Sequence, residues 1–339
     1  MRTSGKHTSK HLSTRKAMTW TFAPRPQFAD FRAGGTLRRR WLSYWLWEMP
    51  LEGLQWSLFH LFSFLPINFV SDTGGRIGTF VIPRFYPFAR TITAGNLRWL
   101  QSGWSETAIQ EAMWCNFANN GRVSTEFSVL HRLMRAGRIR IENIELLQAA
   151  LAKGPVVGVG LHLGNWEIAA PALASHEIPF FFFYEPQSRM RTHLAMKARF
   201  RSSHPASEAL PPGPAAVRAA LQWLKRGKLI AIWCDDQVGG VVAAPFFGRQ
   251  PHLNSNYATA IRLARHADAV IMPFYVERES TYKFALKILP AITLPSTPDP
   301  GGRLLQDVIE LNAVVEPIIK AHLDQWWWLT WPIEGVPYE

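Results

Sequence analysis

The sequence predicts an α/β fold, a mixed sheet with helices on its faces, preceded by an N-terminal membrane-associated helix. From residue 141 onward, short apolar runs typical of buried strands alternate with segments of helical spacing. With 339 residues and 47% hydrophobic content, the chain is large enough to bury a sizeable core. Only 18% of residues are charged, and the 15 tryptophans suit either a large aromatic core or a membrane interface.

Helical spacing comes first along the chain. Residues 76–135 are predicted to be helical because apolar residues recur about every 3.6 positions, and Ser105 before Glu106 is typical of a helix start. Further helices are predicted over residues 141–153, 166–175, 192–203, 214–226, 254–266 and 303–323. Strands are predicted over residues 156–161, 180–184, 229–233, 269–276 and 284–289.

An uncharged run from Gly53 to Ser71 precedes this helical region. Its length is near the minimum for a membrane span, although His60, Pro66 and Asn68 interrupt it. Four tryptophans with three arginines just before them suit a headgroup region: Trp41, Trp45, Trp47 and Trp56 follow Arg38, Arg39 and Arg40. We predict that residues 41–75 form a single transmembrane anchor or an interfacial helix, with a buried soluble helix as the alternative.

The net charge of +12 is concentrated at the N-terminus. Residues 1–40 hold ten basic residues and one acidic residue, Asp30, a balance of +9 that leaves +3 for the rest of the chain. Such a tail suits anionic lipid or an acidic protein, whereas nucleic acid is disfavoured because no nucleic-acid-binding motif follows. We predict that residues 1–40 form a basic, largely mobile tail.

Cysteine and histidine usage predicts no metal site. Cys115 and Cys234 give neither a disulfide framework nor zinc spacing. His252, His266 and His322 are scattered without ligand spacing, so structural or surface roles are expected for them.

His162 is the candidate for chemistry, because it follows a predicted buried strand, and open α/β sheets place catalytic groups at the carboxyl ends of strands. Gly164 permits a tight turn, Asn165 can cap the next helix, and Glu167 lies in its first turn. The Glu167 carboxylate can fold back toward His162, fix the ring tautomer and raise its basicity. From position alone, a structural His–Glu pair remains the alternative.

The segment from Gly160 to Glu167 resembles the His-x4-Asp/Glu motif of lysophospholipid-type acyltransferases. More narrowly, the chain over residues 50–328 resembles the lipid A biosynthesis acyltransferases, the late lauroyl/myristoyl transferases of Gram-negative bacteria. Further matching positions follow in order: Leu65-Pro66, Asn96-Leu97, Phe117, Gly121-Arg122, Glu126, Asp236-Gln237, Pro245-Phe246-Phe247-Gly248-Arg249, Met272-Pro273, Arg278, Asn312, Glu316 and Gln325-Trp326.

The resemblance implies a glycerolphosphate acyltransferase-like fold, with residues 76–335 as the acyltransferase domain. It also implies a reaction in which an acyl-carrier-protein thioester donates its chain to a hydroxyl of a lipid A precursor. His162 would take the proton of that hydroxyl, and Glu167 would orient His162 and stabilise the imidazolium. No metal, cofactor or acyl-enzyme is implied.

Substrate-binding residues are also carried over from the matching motifs. Arg199, or Arg201 two residues on, is expected to bind a substrate phosphate or the donor's phosphopantetheine. Asp236 is expected to order this arginine or the active-site loop, and Asn165 and Arg249 are further candidates for substrate contact. The alternatives are a solvated helix charge at Arg199 and a loop cap at Asp236.

Two departures from the family's pattern bear on the acceptor. Tyr184-Glu185-Pro186 has an acid where relatives usually carry arginine, and the tryptophan-rich segment 326–331 lacks the family's usual basic pair. A phospholipid or glycolipid O-acyltransferase, using acyl-CoA or acyl-carrier protein, is therefore the alternative, and a non-catalytic lipid-binding protein is a third.

The resemblance also predicts the partners and the location. Acyl carrier protein is acidic, and the basic residues Lys225, Arg226 and Lys228 are candidates to receive it. The expected location is the bacterial inner membrane, with the active site facing the cytoplasm.

Overall fold

The structure, a computed structural model, describes residues 25–184 and 205–338. Its centre is a seven-stranded sheet. The strands are β1 (Ile139–Glu142), β2 (Val156–Gly160), β3 (Phe180–Phe183), β4 (Glu208–Leu210), β5 (Leu229–Trp233), β8 (Val270–Ser280) and β9 (Lys283–Ile288), and β6 (Gln237–Val238) and β7 (Val241–Val242) form a separate hairpin. The spatial order is β1-β9-β8-β2-β5-β3-β4. Neighbouring strands are parallel except for β8 and β9, so the predicted mixed α/β sheet is confirmed.

Helices precede the sheet and cover it. The N-terminal helices are α1 (Phe28–Ala33), α2 (Gly35–Ser43), α3 (Met49–Phe64), α4 (Ile67–Phe85), α5 (Ala89–Leu100), α6 (Glu106–Glu126) and α7 (Leu130–Arg135). Those among and after the strands are α8 (Ile144–Lys153), α9 (Ala169–Ala174), α10 (Pro214–Lys225), α11 (Asn256–Ala267) and α12 (Pro300–Ala321). Helix α6 begins as predicted, because the Ser105 hydroxyl accepts a hydrogen bond from the Ala108 amide at 3.2 Å.

The central strand β2 is buried along its whole length between β8 and β5. A strand covered on both faces needs apolar residues at every position, which explains why its sequence does not alternate. Val157 and Val159 join the core on one face of the sheet, and Val156 joins the core on the other, with Leu229 and Met272. The site at the end of β2 therefore stands on the most constrained part of the fold.

The apolar run from residue 53 to residue 71 is broken at Leu65 and Pro66. Helix α3 ends at Phe64, Leu65 has extended backbone angles, and α4 begins at Ile67. Proline disfavours helical geometry in the residue before it and lacks an amide hydrogen. Within the described residues, no helix is both long enough and apolar enough to cross a membrane. The prediction of a transmembrane helix over this run is therefore wrong.

Other segments differ from the sequence-based expectations. Strand β1 includes residues 141 and 142, which were predicted to begin a helix, because Ile139 and Ile141 alternate with polar residues and pair with β9. The end of the predicted basic tail is helical, since α1 and α2 cover residues 28–33 and 35–43. Residues 1–24 of that tail and the predicted helix 192–203 lie outside the described residues.

Candidate active site

His162 lies just beyond the carboxyl end of β2, where the neighbouring strand β5 also ends. Asp235, which follows β5, is fully buried and contacts both the main chain and the ring of His162. Both Asp235 carboxylate oxygens accept the His162 amide hydrogen, at 2.9 Å each. The ring nitrogen Nδ1 lies 3.0 Å from Asp235 Oδ1 and 3.0 Å from the Asp235 carbonyl oxygen. One residue on the adjacent strand thus fixes both the backbone and the ring of His162.

The surroundings of Nδ1 decide which ring nitrogen of a neutral His162 carries the proton. Asp235 offers Nδ1 two acceptors, so the proton belongs on Nδ1, which donates to them. The indole Nε1 of Trp328 lies 3.2 Å from Nδ1, but only 2.8 Å from the Asp235 carbonyl oxygen, its better acceptor. This arrangement leaves Nε2 with its lone pair, on a side chain that is 20% exposed.

Glu167 has no hydrogen bond to the His162 ring among the described residues. It lies in a short 3-10 turn, Trp166–Ile168, and the hydrogen-bond partners of the His162 ring among the described residues are Asp235 and Trp328. Glu167 has an interaction of its own. Its catalytic role therefore stays a prediction, whereas the partner of Nδ1 is Asp235.

Three tryptophans surround the His162 ring. The ring centroids of Trp166, Trp328 and Trp233 lie 5.1, 5.3 and 6.3 Å from that of the imidazole. Trp328 comes from the C-terminal segment, which is tied to the site by the Trp327 amide donating to the His162 carbonyl at 3.0 Å. The result is a histidine with an exposed edge inside a mostly apolar wall.

The C-terminal segment also supports Asp235 and the loop after His162. Trp326 is fully buried and donates its indole N–H to Asp235 Oδ2 at 2.9 Å. The Gly164 amide donates to the Gln325 carbonyl at 3.2 Å. Gly164 has φ +56°, and a Cβ there would lie 2.5 Å from the Val276 carbonyl oxygen, so the turn after His162 requires glycine.

A buried ion pair anchors the other end of this loop. Arg278 on β8 binds both carboxylate oxygens of Glu126 on α6, at 2.9 and 2.8 Å, and both side chains are almost fully buried. Glu126 also accepts hydrogen bonds from the Ser71 hydroxyl at 2.6 Å and from the side-chain amide of Asn165 at 2.9 Å. Asn165 therefore links the loop to α6. It was expected to cap the following helix, but its side chain makes no capping hydrogen bond there.

Replacing Glu126 with Gln is expected to lower the free energy of unfolding by about 3–5 kcal/mol, because Arg278 would remain charged and buried without its partner. Urea denaturation measures the change. Glu106→Gln is the matched control, since it removes an exposed pair with Arg98 and should change stability little. Equal losses in the two variants would contradict the assigned role of the buried pair.

The same pair predicts an acid dependence of stability. Burial alone would raise the pKa of Glu126, but the charge of Arg278 and the hydrogen bonds from Arg278, Ser71 and Asn165 lower it on balance. A carboxyl group with a lowered pKa stabilises the fold at neutral pH, and the contribution is lost as the pH falls through that lowered pKa. Acidification should therefore destabilise the wild type more than Glu126→Gln.

The remaining predicted site residues have different placements. The Arg249 guanidinium donates to three main-chain carbonyls, those of Val242, Pro245 and Phe246, at 2.7, 2.7 and 2.8 Å, so it holds its own loop together. Asp236 Oδ2 accepts from the Asn256 main-chain amide at 3.3 Å, at the start of α11, and its expected role toward Arg199 stays a prediction. Arg199 and Arg201 lie outside the described residues.

Sequence reasoning missed Asp235 and Trp328 as partners of His162. A signal was present, since Asp235 follows a strand predicted to be buried, and the carboxyl ends of parallel neighbours meet at one edge. Nothing in the local sequence connects Trp328 with a histidine 166 residues earlier.

Comparison with known proteins assigns the class of this site. The model of a protein family described as bacterial lipid A biosynthesis acyltransferase matches residues 37–331. The protein is therefore an acyltransferase, a transferase that moves acyl groups onto lipids. It belongs to the bacterial lipid A biosynthesis acyltransferase family, which confirms the resemblance seen in the motifs.

Other comparisons are more distant. The 1-acyl-sn-glycerophosphate acyltransferase of Thermotoga maritima, a solved structure, is 14% identical, with 74% of this chain and 99% of that chain covered and a TM-score of 0.35. The search of curated proteins finds no match. The assignment rests on the family match.

Proposed function

We propose that this acyltransferase moves a fatty acyl chain from an acyl-carrier-protein thioester to a hydroxyl of a lipid A precursor. The observation that carries the proposal is the orientation of His162 by Asp235, with Nδ1 as the donor and Nε2 left as a base. A lipid hydroxyl is a poor nucleophile, so it needs a positioned base to take its proton. The family match supports a lipid acceptor.

The reaction follows from this geometry. Nε2 of His162 takes the proton of the acceptor hydroxyl as its oxygen attacks the thioester carbonyl carbon. The Asp235 carboxylate, 3.0 Å from Nδ1, stabilises the imidazolium that forms. The tetrahedral intermediate collapses by breaking the carbon–sulfur bond, and the thiolate takes the proton from Nε2. The products are an ester and the free thiol of the donor.

The tryptophan wall suits this chemistry. Apolar rings around His162 exclude water, which would otherwise compete with the lipid hydroxyl for the thioester. Trp327 stacks edge-on against Trp166, with ring centroids 5.0 Å apart, and this contact joins the C-terminal segment to the His162 loop. The segment therefore serves both to support Asp235 and to shape the apolar surroundings of the base.

An apolar surface on α3, α4 and the turn that follows supports membrane contact. It includes Phe64, Phe80 and Phe88, with 82, 65 and 72% of their surface exposed. Large exposed apolar patches mark interaction surfaces, and aromatic residues favour the interface of a bilayer. We propose that these helices lie in the interface of the inner membrane, with His162 accessible from the cytoplasm, where acyl carrier protein resides.

Replacing Phe64 and Phe80 together with Ser is expected to weaken binding to phosphatidylcholine vesicles by roughly tenfold or more, since each phenyl ring loses burial in the interface. Flotation of the purified protein with vesicles measures this. Leu305→Ser is the control, because Leu305 is 45% exposed but lies on α12. Equal binding by the double variant and the wild type would contradict a membrane-facing role for this surface.

A panel of donors and acceptors tests the proposed function. The purified protein is given a radiolabelled acyl chain on acyl-carrier protein or on coenzyme A, and a tetra-acylated lipid A precursor, a lysophospholipid or a mannosylated glycolipid as acceptor. We expect the carrier-protein donor and the lipid A precursor to give the highest kcat/KM. A clear preference for another acceptor would overturn the lipid A assignment, and a preference for acyl-CoA would overturn the donor.

A further inference from the structure

A cleft of about 430 Å³ opens between α4 and α6, and none of the residues around His162 lines it. We call it the arginine cleft, and its walls are Asp72, Gly75, Arg76, Thr79, Ala118 and Arg122. Beside it, the two helices touch through their backbones, since a Cβ on Gly78 would lie 2.1 Å from the Phe117 carbonyl oxygen. The volume is within the range of small-molecule sites, which is roughly 300–1,000 Å³.

Arg122 is the half-buried cation of this cleft. Its guanidinium packs on Gly75, where a Cβ would lie only 3.0 Å from Nη2. Nη1 donates to Asn119 Oδ1 at 3.2 Å, while Nε is buried without a hydrogen-bond partner among the described residues. Burial, together with the charge of Arg278, lowers the pKa of Arg122. An anion in the cleft would offset both the burial and the repulsion.

The acids near Arg122 are engaged elsewhere. Both carboxylate oxygens of Asp72 accept from the Tyr282 hydroxyl, at 2.9 and 2.8 Å. Glu126 is bound by both terminal nitrogens of Arg278. Across the described ranges, neither Arg76 nor Arg122 forms an ion pair. The cleft therefore holds two guanidinium groups, those of Arg76 and Arg122, and one carboxylate, that of Asp72, which is hydrogen-bonded to Tyr282.

The rim of the cleft adjoins the apolar surface of α4. Arg76 is exposed and shares a helix face with Phe69 and Phe80, at spacings of seven and four residues. These phenyl rings are 54 and 65% exposed. If this face lies in the interface, as proposed above, then Arg76 and the cleft that it lines adjoin the lipid headgroups.

We infer that the arginine cleft binds the phosphate group of a membrane lipid, with Arg122 donating hydrogen bonds to it and Arg76 attracting it at the rim. A guanidinium presents paired N–H donors that match phosphate oxygens. The inference rests on the proposed function only for the membrane-facing orientation of α4.

Vesicle binding tests the inference apart from catalysis. The protein is floated with phosphatidylcholine vesicles, with and without phosphatidic acid, and its affinity gain from phosphatidic acid is measured. In Arg122→Gln, the gain in affinity from phosphatidic acid is expected to be roughly tenfold smaller, which is the scale of a charge-assisted hydrogen bond. Arg218→Gln removes the same charge from an exposed position on α10 and should keep most of the gain. His162→Ala should keep all of it, so a failure of the proposed chemistry leaves the binding result readable.

Two further measurements separate lipid binding from poor folding of Arg122→Gln and from binding of free phosphate. Arg76→Gln changes an exposed side chain that folding does not require, and it should lose part of the gain even if Arg122→Gln folds poorly. Inorganic phosphate, added to the protein without vesicles, reports a site for the free ion. The inference is overturned if Arg122→Gln and Arg76→Gln both gain as much affinity from phosphatidic acid as the control Arg218→Gln. It is also overturned if inorganic phosphate raises the Tm of the wild type while phosphatidic acid gives no gain.

Discussion

His162→Ala is expected to lower kcat/KM for acyl transfer at least about a hundredfold, the scale of a lost general base. The variant removes Nε2, the nitrogen proposed to take the hydroxyl proton, while Asp235 and the tryptophans around the ring remain. Initial rates with a radiolabelled acyl donor measure the effect, and circular dichroism reports folding. His266→Ala, on the exposed side of α11, is the control expected to keep the wild-type rate. If a folded His162→Ala protein transfers at the wild-type rate, then His162 is not the base.

Asp235→Asn is expected to lower kcat roughly a hundredfold with little change in KM, because misorientation of a catalytic group costs on that scale. The amide is nearly isosteric, but it lacks the charge that stabilises the imidazolium, a species formed as the reaction proceeds. An interaction made mainly in the transition state lowers kcat and kcat/KM together.

The matched control for this substitution is Asp268→Asn, which changes an exposed aspartate after α11 and should leave both constants unaltered. A folded Asp235→Asn protein with a raised KM and unchanged kcat would contradict the role assigned to Asp235. That outcome would place Asp235 in substrate binding instead.

The elements that position His162 were predictable because their sequence signals are local. The runs that became β2 and β5 are apolar at nearly every position, as burial on both faces of a sheet requires. Gly164 marked the turn after β2, and its close approach to Val276 explains why. The position of His162 at a carboxyl edge followed from these features alone.

Contacts between distant segments were not predictable in the same way. The edge strands β1 and β4 have only four and three residues, and β1 pairs with β9, which lies far along the chain. Glu167 was the nearest carboxylate in sequence, but Asp235, 73 residues away, lies 3.0 Å from Nδ1 because β5 lies beside β2. Strand order cannot be read from a local pattern, so the identity of the ring's partner could not be either.

The prediction of a membrane-spanning helix failed for a local reason. Length and lack of charge suggested a span over residues 53–71, yet Pro66 divides that run into the end of α3 and the start of α4. A count of apolar residues does not include this break, although the proline was visible in the sequence. The exposed aromatic side chains on both helices keep the interfacial alternative as a proposal.

The most direct test of the central claim is a double-substitution cycle in the acyl-transfer assay. The wild type, His162→Ala, Asp235→Asn and the double variant are compared with acyl-carrier-protein donor and the tetra-acylated lipid A precursor. If Asp235 acts through His162, then Asp235→Asn slows the wild type but has no further effect once His162 is absent, since residues that act as a unit are non-additive. If Asp235→Asn slows His162→Ala by as much as it slows the wild type, then Asp235 acts independently and the proposed pairing is contradicted.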